Sequence, residues 1–168
     1  MSNKLFIVCP FSGMEGFLRN RYGNDIFFHT SSGAVIQRDE LEYLTALRDF
    51  IIQEEIKTVY IVTDTSCRFI DRIVKRKKLF GVTSEKILED LYIEHYFTEF
   101  KEKTLFQQYK KLAELNILNQ ANEMRNSPIL GSCIAELEVE IKCLITSKEK
   151  NAIAELALEN SNDRIYEL

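Results

Sequence analysis

One apolar run that ends in polar residues gives the first indication of the fold: Thr58-Val59-Tyr60-Ile61-Val62-Thr63-Asp64-Thr65-Ser66-Cys67. It is short, rich in β-branched residues and without clean alternation, as is typical of a parallel strand covered on both faces. Leu5 to Cys9 and Asp25 to His29 have the same character. We therefore predict three buried strands, each followed by polar residues.

The residues between and after these strands predict helices and one further strand. Leu44, Leu47 and Ile51 lie on one face of an amphipathic helix over Arg38 to Glu54, which joins the second strand to the third. The alternation from Leu137 to Cys143 predicts a strand with one wet face, antiparallel or at an edge. The other predicted helices run from about Cys67 to Leu79, from Ser84, from Thr104 to Arg125 with a break near Asn116, and from Lys148 to Glu159. The prediction is an α/β fold with a mainly parallel sheet of four to five strands flanked by helices.

Length and charge narrow the class of protein. The chain has 168 residues, and we predict a single domain over residues 1–160 with a polar tail over 161–168. A net charge of -4 does not provide the excess of cations that nonspecific nucleic-acid binding needs. No apolar run reaches the roughly 18 residues of a membrane span, and the N-terminal residues do not resemble a signal peptide. We expect a cytoplasmic protein that contacts neither nucleic acid nor membrane.

The four cysteines fall into two groups. Cys133 and Cys143 have the pattern of small core residues, whereas Cys9 and Cys67 follow predicted strand ends. Ligands of open α/β sheets bind beyond the carboxyl ends of the strands. The two thiols, Asp64 and several hydroxyl groups are therefore expected along one rim of the sheet.

The order of these motifs resembles that of the β-class carbonic anhydrases over most of the chain. That family has C-x-D-S-R after its first strand, then G-D-x-F-x-x-R-N-A-G, then a strand that ends in G-H-x-x-C-G. Toward the C-terminus it often has an N-V-x-x-Q-V helix, a proline and a strand. The corresponding segments here are Cys9-Pro10-Phe11-Ser12-Gly13, Gly23 to Gly33, Thr63 to Arg68, Asn116 to Ala121, Pro128, and Leu137 to Ile145.

The resemblance implies a metal site and a homo-oligomer. The family holds zinc with Cys, His and Cys, and these positions are Cys9, Asp64 and Cys67 in this sequence. Zinc is therefore a candidate cofactor, because it also accepts carboxylate oxygen. Members of the family are dimers or higher oligomers with active sites close to the subunit interface, so we expect a homodimer or a higher homo-oligomer.

Two departures from the family pattern predict that hydration of carbon dioxide is impaired. The Asp and Arg that follow the first ligand correspond to Phe11 and Gly13, which can neither accept the hydrogen bond of a zinc-bound hydroxide nor hold its acceptor. A carboxylate in place of histidine makes the site more negative, which opposes ionisation of a bound water. We therefore assign no catalytic residue.

Three functions remain open. The first is a divergent homodimeric binding or regulatory protein without efficient hydration. The second is a zinc-dependent lyase or hydrolase, a residual carbonic anhydrase, that uses Cys9, Asp64 and Cys67. The third is a thiol redox module of Cys9 and Cys67, in which a helix beginning at Cys67 would favour its thiolate. Asp64 has the alternative role of a helix cap. His29, at the end of a strand, is a further candidate ligand, whereas His95 is expected to pack.

Overall fold

The computed structural model describes residues 2–158 and contains one five-stranded sheet with the order β2-β1-β3-β4-β5. The strands β1 to β4 run parallel to one another, and β5 runs antiparallel to β4. This confirms the predicted α/β class and the mainly parallel sheet. The strands are β1 (Asn3–Val8), β2 (Ile26–Thr30), β3 (Ile56–Asp64), β4 (Glu140–Ser147) and β5 (Ala152–Leu156).

Six α-helices lie among the described residues: α1 (Glu15–Tyr22), α2 (Leu41–Gln53), α3 (Arg68–Val74), α4 (Thr83–Glu94), α5 (Leu105–Asn126) and α6 (Leu130–Glu136). A 3-10 turn over Ser32–Ala34 follows β2, and a π-helical turn over Tyr96–Phe100 follows α4. None of these helices is both long and apolar enough to cross a membrane. The proposed tail over residues 161–168 lies outside the described residues.

The core consists of three clusters that cover both faces of the sheet. On one face Ile7, Val59 and Ile61 pack with residues of α2, α5 and α6. On the other face Phe6 and Tyr60 stack with ring centroids 4.5 Å apart and pack near α1. A third cluster, under α3, α4 and α5, contains Cys9 and Cys67. β3 is buried on both faces, as predicted. Each of its fully buried large apolar side chains contributes about 1.5–3 kcal/mol to the free energy of folding.

The predictions for the C-terminal region were wrong in two respects. The alternating segment begins at Glu140 and is an interior strand rather than an edge strand; it is parallel to β3 and antiparallel only to β5, and Leu137 instead follows the last residue of α6. Its wet residues lie only at the start of β4, where Lys142 pairs with Glu155 of β5 at 3.6 Å. The predicted helix from Lys148 is instead a turn followed by β5, because pairing with the open edge of β4 outweighs the local helix propensity.

Three helices also differ from the prediction. α3 ends at Val74 rather than near Leu79, because the chain turns at Arg76, whose φ is 53°. α5 runs without a break through Asn116, whose buried side chain finds a partner outside the helix. α1 was missed because Leu18 is its one buried residue, so the helix shows almost no apolar periodicity.

Candidate functional site

The predicted rim is present at the carboxyl ends of β1, β2 and β3. β1 lies between the other two strands, so the residues that follow these strands meet along one edge. The segment after β2 is tied to β1 by the Ser31 N–H, which donates to the Val8 carbonyl at 2.9 Å. Cys9, Ser31 and Asp64 are all buried there. Parallel pairing has thus gathered polar groups from distant parts of the sequence.

Cys9 and Cys67 form a buried pair of thiols. Their Sγ atoms are 3.9 Å apart, and Cys67 donates its thiol proton to Cys9. The Gly33 N–H donates to the Cys9 Sγ at 3.3 Å. Gly33 has a φ of 65°, a left-handed conformation that favours glycine, and an added Cβ would lie 3.1 Å from Leu88. The turn after β2 therefore presents a backbone donor to the sulfur.

The two thiols have opposite pKa shifts. The hydrogen bond from Cys67 is the main cause that lowers the pKa of Cys9 to about 7; burial opposes this shift, and backbone groups at Phe11, Gly33 and Ala34 assist it. The same bond, together with burial, raises the pKa of Cys67 well above the usual range of a thiol. The expectation that a helix start would favour the Cys67 thiolate is not met, because the Cys67 thiol donates its hydrogen bond to Cys9 and so keeps its proton. Of the two thiols, Cys9 is therefore the more acidic.

Two side chains of α5 hold the Gly33 turn, and the sequence analysis assigned them no role. The Asn116 amide donates to the Gly33 carbonyl at 2.8 Å, and the Gln120 side-chain oxygen accepts from the Ile36 N–H at 2.9 Å. Gln120 also donates to Asn116 at 3.3 Å. Both side chains are buried. An Asn and a Gln four residues apart within an apolar helix stripe are the signal that could have identified this brace.

Asp64 is buried but turned toward the peptide chain around it. One carboxylate oxygen accepts from the N–H of Ser66 at 2.8 Å and from the Ser66 hydroxyl. The other oxygen accepts from the Thr146 hydroxyl at 2.7 Å and from the Lys148 N–H at 3.1 Å. Its side chain does not cap α3, which Cys67 precedes directly. Asp64 instead fixes the turn after β3 and joins it to the end of β4.

The donor set provides only part of a zinc site. Zn–S bonds of about 2.3 Å in tetrahedral geometry place two sulfurs about 3.8 Å apart, close to the separation of these thiols. Over residues 2–158, however, the structure contains no group of three or more His, Cys, Asp or Glu side chains arranged to hold a metal ion. The residues present do not complete a zinc site in this arrangement, and Asp64 as a third ligand stays a prediction.

The side chains of the remaining candidate residues make other contacts. A ring nitrogen of His29 is 2.8 Å from the Tyr43 hydroxyl on α2, and burial lowers the pKa of His29. Phe11 is 51% exposed, and its ring packs against Phe69 with centroids 5.7 Å apart. Gly13 has a φ of 62° and offers no side chain. Neither the Phe11 nor the Gly13 position can supply a carboxylate or a guanidinium to the rim.

Comparison with solved structures identifies the fold. The β-carbonic anhydrase CafA of Aspergillus fumigatus is similar, with a TM-score of 0.81 and 21% sequence identity over 96% of this chain and 78% of that chain. A tetrameric β-carbonic anhydrase of Sordaria macrospora has a TM-score of 0.82 and 16% identity over 94% of this chain and 81% of that chain. The Coccomyxa β-carbonic anhydrase in complex with acetazolamide has a TM-score of 0.75 and 13% identity over 92% of this chain and 72% of that chain. No protein-family model and no curated protein matches the sequence. The resemblance seen in the sequence is confirmed at the level of the fold.

If Asp64 is a structural residue, its removal should destabilise the protein whether or not zinc is present. We expect Asp64→Ala to lower the free energy of unfolding by about 2–4 kcal/mol, because buried donors lose their acceptor. Urea titration with and without zinc measures this loss. Asp39→Ala, at an exposed carboxylate, is the control and should change stability by less than about 0.5 kcal/mol. Stabilisation by zinc that depends on Asp64 would instead make this residue a ligand.

Proposed function

We propose that this chain uses the β-carbonic anhydrase fold without efficient hydration of carbon dioxide, and that it acts as a homodimeric binding or regulatory protein. The observation that carries the proposal is the occupation of the Asp64 carboxylate, whose two oxygens accept four hydrogen bonds from Ser66, Thr146 and Lys148. A third metal ligand would have to give up these contacts, which connect β3 to β4.

The chemistry of hydration supports the same proposal. Metal-assisted hydration requires a bound hydroxide at neutral pH, which a metal with few anionic ligands provides. Two thiolates and a carboxylate would oppose that ionisation by their negative charge. The side chains that would orient the hydroxide are replaced by a half-exposed phenyl ring at Phe11 and a hydrogen atom at Gly13. Binding without turnover is the function that these residues permit.

Hydration and metal content can be measured on one preparation. We expect protein purified without a metal-affinity tag to contain far less than one zinc per chain. We also expect no acceleration of carbon dioxide hydration over buffer in a stopped-flow indicator assay, with or without added zinc. A β-carbonic anhydrase with the complete motifs serves as the positive control. One zinc per chain that is lost in both Cys9→Ser and Cys67→Ser, with activity that Cys67→Ser abolishes, would replace the proposal by the zinc-dependent lyase.

The edge strand β2 is the surface that best suits a homodimer. It pairs on one side with β1, and its other side is an edge of the sheet. Such an edge carries unpaired backbone groups that a second copy can use. Phe27, Phe28 and His29 of this strand are only partly buried. Oligomers among proteins of this fold include the tetrameric enzyme of Sordaria macrospora.

We expect light scattering to give twice the mass of one chain at micromolar concentration. Hydrogen exchange should show the outward amides of β2 protected at high concentration and exposed on dilution, because pairing with a second copy satisfies them. The other edge strand, β5, is the internal control and should exchange at both concentrations. A monomer at every concentration, or protection confined to β5, would contradict this assignment.

The thiol pair favours a second function, that of a redox module. In the cytoplasm thiols are kept reduced, so a disulfide that forms there is usually transient and catalytic or redox-sensing. The cysteines are unpaired by disulfides in the described structure. The Sγ separation of 3.9 Å and the lowered pKa of Cys9 give one thiolate that attacks and one thiol that resolves. Burial raises the pKa of Cys143 to about 12, so that this thiol is protonated at neutral pH.

Oxidised glutathione is the reagent for this second function. The Cys9 thiolate attacks one sulfur of glutathione disulfide and releases one glutathione. Cys67 then attacks the mixed disulfide, releasing a second glutathione and forming a Cys9–Cys67 bond. We expect mass spectrometry to show the loss of two hydrogen atoms, reversed by dithiothreitol. Cys67→Ser should stop at the mixed disulfide, and Cys143→Ser should behave like the parent chain. Failure to form the intramolecular bond would remove the redox function.

A further inference from the structure

A groove separate from the cysteine rim lies between the end of α3 and the α4 region. Its volume is about 450 Å³, within the roughly 300–1,000 Å³ of small-molecule sites. One wall, the cationic wall, is formed by the end of α3 and the turn that follows it, and the other, the apolar wall, by α4 with the π-helical turn. The cationic wall carries Arg72, Arg76 and Lys77 together with Ile73 and Leu79, and the apolar wall carries Tyr92, Ile93, Tyr96 and Phe97, with Glu89 as the one carboxylate.

The apolar wall is unusually open to solvent. Ile93 is 63% exposed and Phe97 is 80% exposed. Next to them the rings of Tyr92 and Tyr96 meet edge to face with centroids 5.7 Å apart. Exposed apolar patches of this kind mark binding surfaces, because leaving them in water is unfavourable. The wall therefore suits an apolar chain of the ligand.

The cationic wall is held in place by backbone geometry. The Lys77 N–H donates to the Arg72 carbonyl at 2.8 Å, and the Arg76 N–H donates to the Ile73 carbonyl at 3.0 Å. The Arg72 guanidinium is fixed by the Lys78 carbonyl at 2.8 Å and stacks 4.0 Å above the Phe80 ring. Arg76 places its guanidinium 5.5 Å from the Tyr96 ring, next to the apolar wall. Guanidinium groups suit a planar carboxylate, which can accept two parallel hydrogen bonds from each of them.

We propose that this groove binds a single-chain anionic amphiphile, with its carboxylate on Arg72 and Arg76 and its apolar chain across Tyr92, Ile93 and Phe97. Arg72 and Arg76 complement an anion although the net charge of the chain is -4, whereas Lys77 is already paired with Asp71 at 3.1 Å. The inference gives a ligand class to the binding role proposed above. No cysteine takes part in this groove. The groove can therefore fail to bind an amphiphile while hydration of carbon dioxide is still absent, and it can bind one even if hydration is found.

Calorimetric titration with monomeric decanoate, below its micelle concentration, tests the groove. We expect decanoate to bind and decan-1-ol to bind at least about tenfold more weakly, since the neutral head loses its charged hydrogen bonds. Arg76→Gln should weaken decanoate by a similar factor. Arg48→Gln, at a cation paired with Asp49 on α2, is the matched control and should leave binding unchanged. Higher salt should weaken binding of decanoate but not of decan-1-ol.

A second variant tests the groove in case Arg76→Gln does not fold. Phe97→Asp changes a residue that is 80% exposed, so the fold should be retained, while the new carboxylate repels the ligand. No binding of decanoate by the parent chain, equal affinity for decanoate and decan-1-ol, or equal effects of Arg76→Gln and Arg48→Gln would each overturn the proposal. Dissociation of a dimer by Phe97→Asp would also overturn it, because the groove would then belong to a second copy.

Discussion

Parallel pairing of β1 with both β2 and β3 is the constraint on which the candidate site depends. Three strands that run side by side in one direction must end at one edge, so the residues after them meet although they are far apart in sequence. The middle of β3, residues 59–62, carries no charged side chain, because both of its faces are buried. Polar and ionisable groups are therefore concentrated at the rim, whatever chemistry they perform.

The rim is also a structural joint. Asp64 connects the end of β3 to the end of β4 through Thr146 and Lys148, and Asn116 and Gln120 fasten the turn after β2 to α5. Unpaired buried polar groups cost about 1–3 kcal/mol each, so these contacts stabilise the fold as much as they shape the site. The same contacts therefore serve both the stability of the fold and the shape of the rim.

Sequence reasoning identified the central strands, the rim and the thiol pair, because each depends on local composition. A short apolar run rich in β-branched residues indicates a buried strand of such a sheet, and Cys9 and Cys67 lie at or just beyond the ends of two of these runs. The prediction from sequence was wrong where the secondary structure of a segment depends on a strand that is distant in the sequence. Residues 152–156 have the composition of a helix, yet they form β5 because β4 offers an open edge.

The sequence by itself determined the α/β class, the order of the first four strands along the chain and the absence of a carboxylate and a guanidinium at Phe11 and Gly13. Only the tertiary structure decided which thiol ionises, what Asp64 binds and which walls face each other across the groove. The reason is physical. Hydrogen-bond direction and burial depend on atoms supplied by other segments, such as the Gly33 N–H on Cys9 and the Thr146 hydroxyl on Asp64. The residue type sets which bonds and protonation states a side chain can have. The groups around that side chain in the fold determine which of these bonds form and which protonation state is favoured.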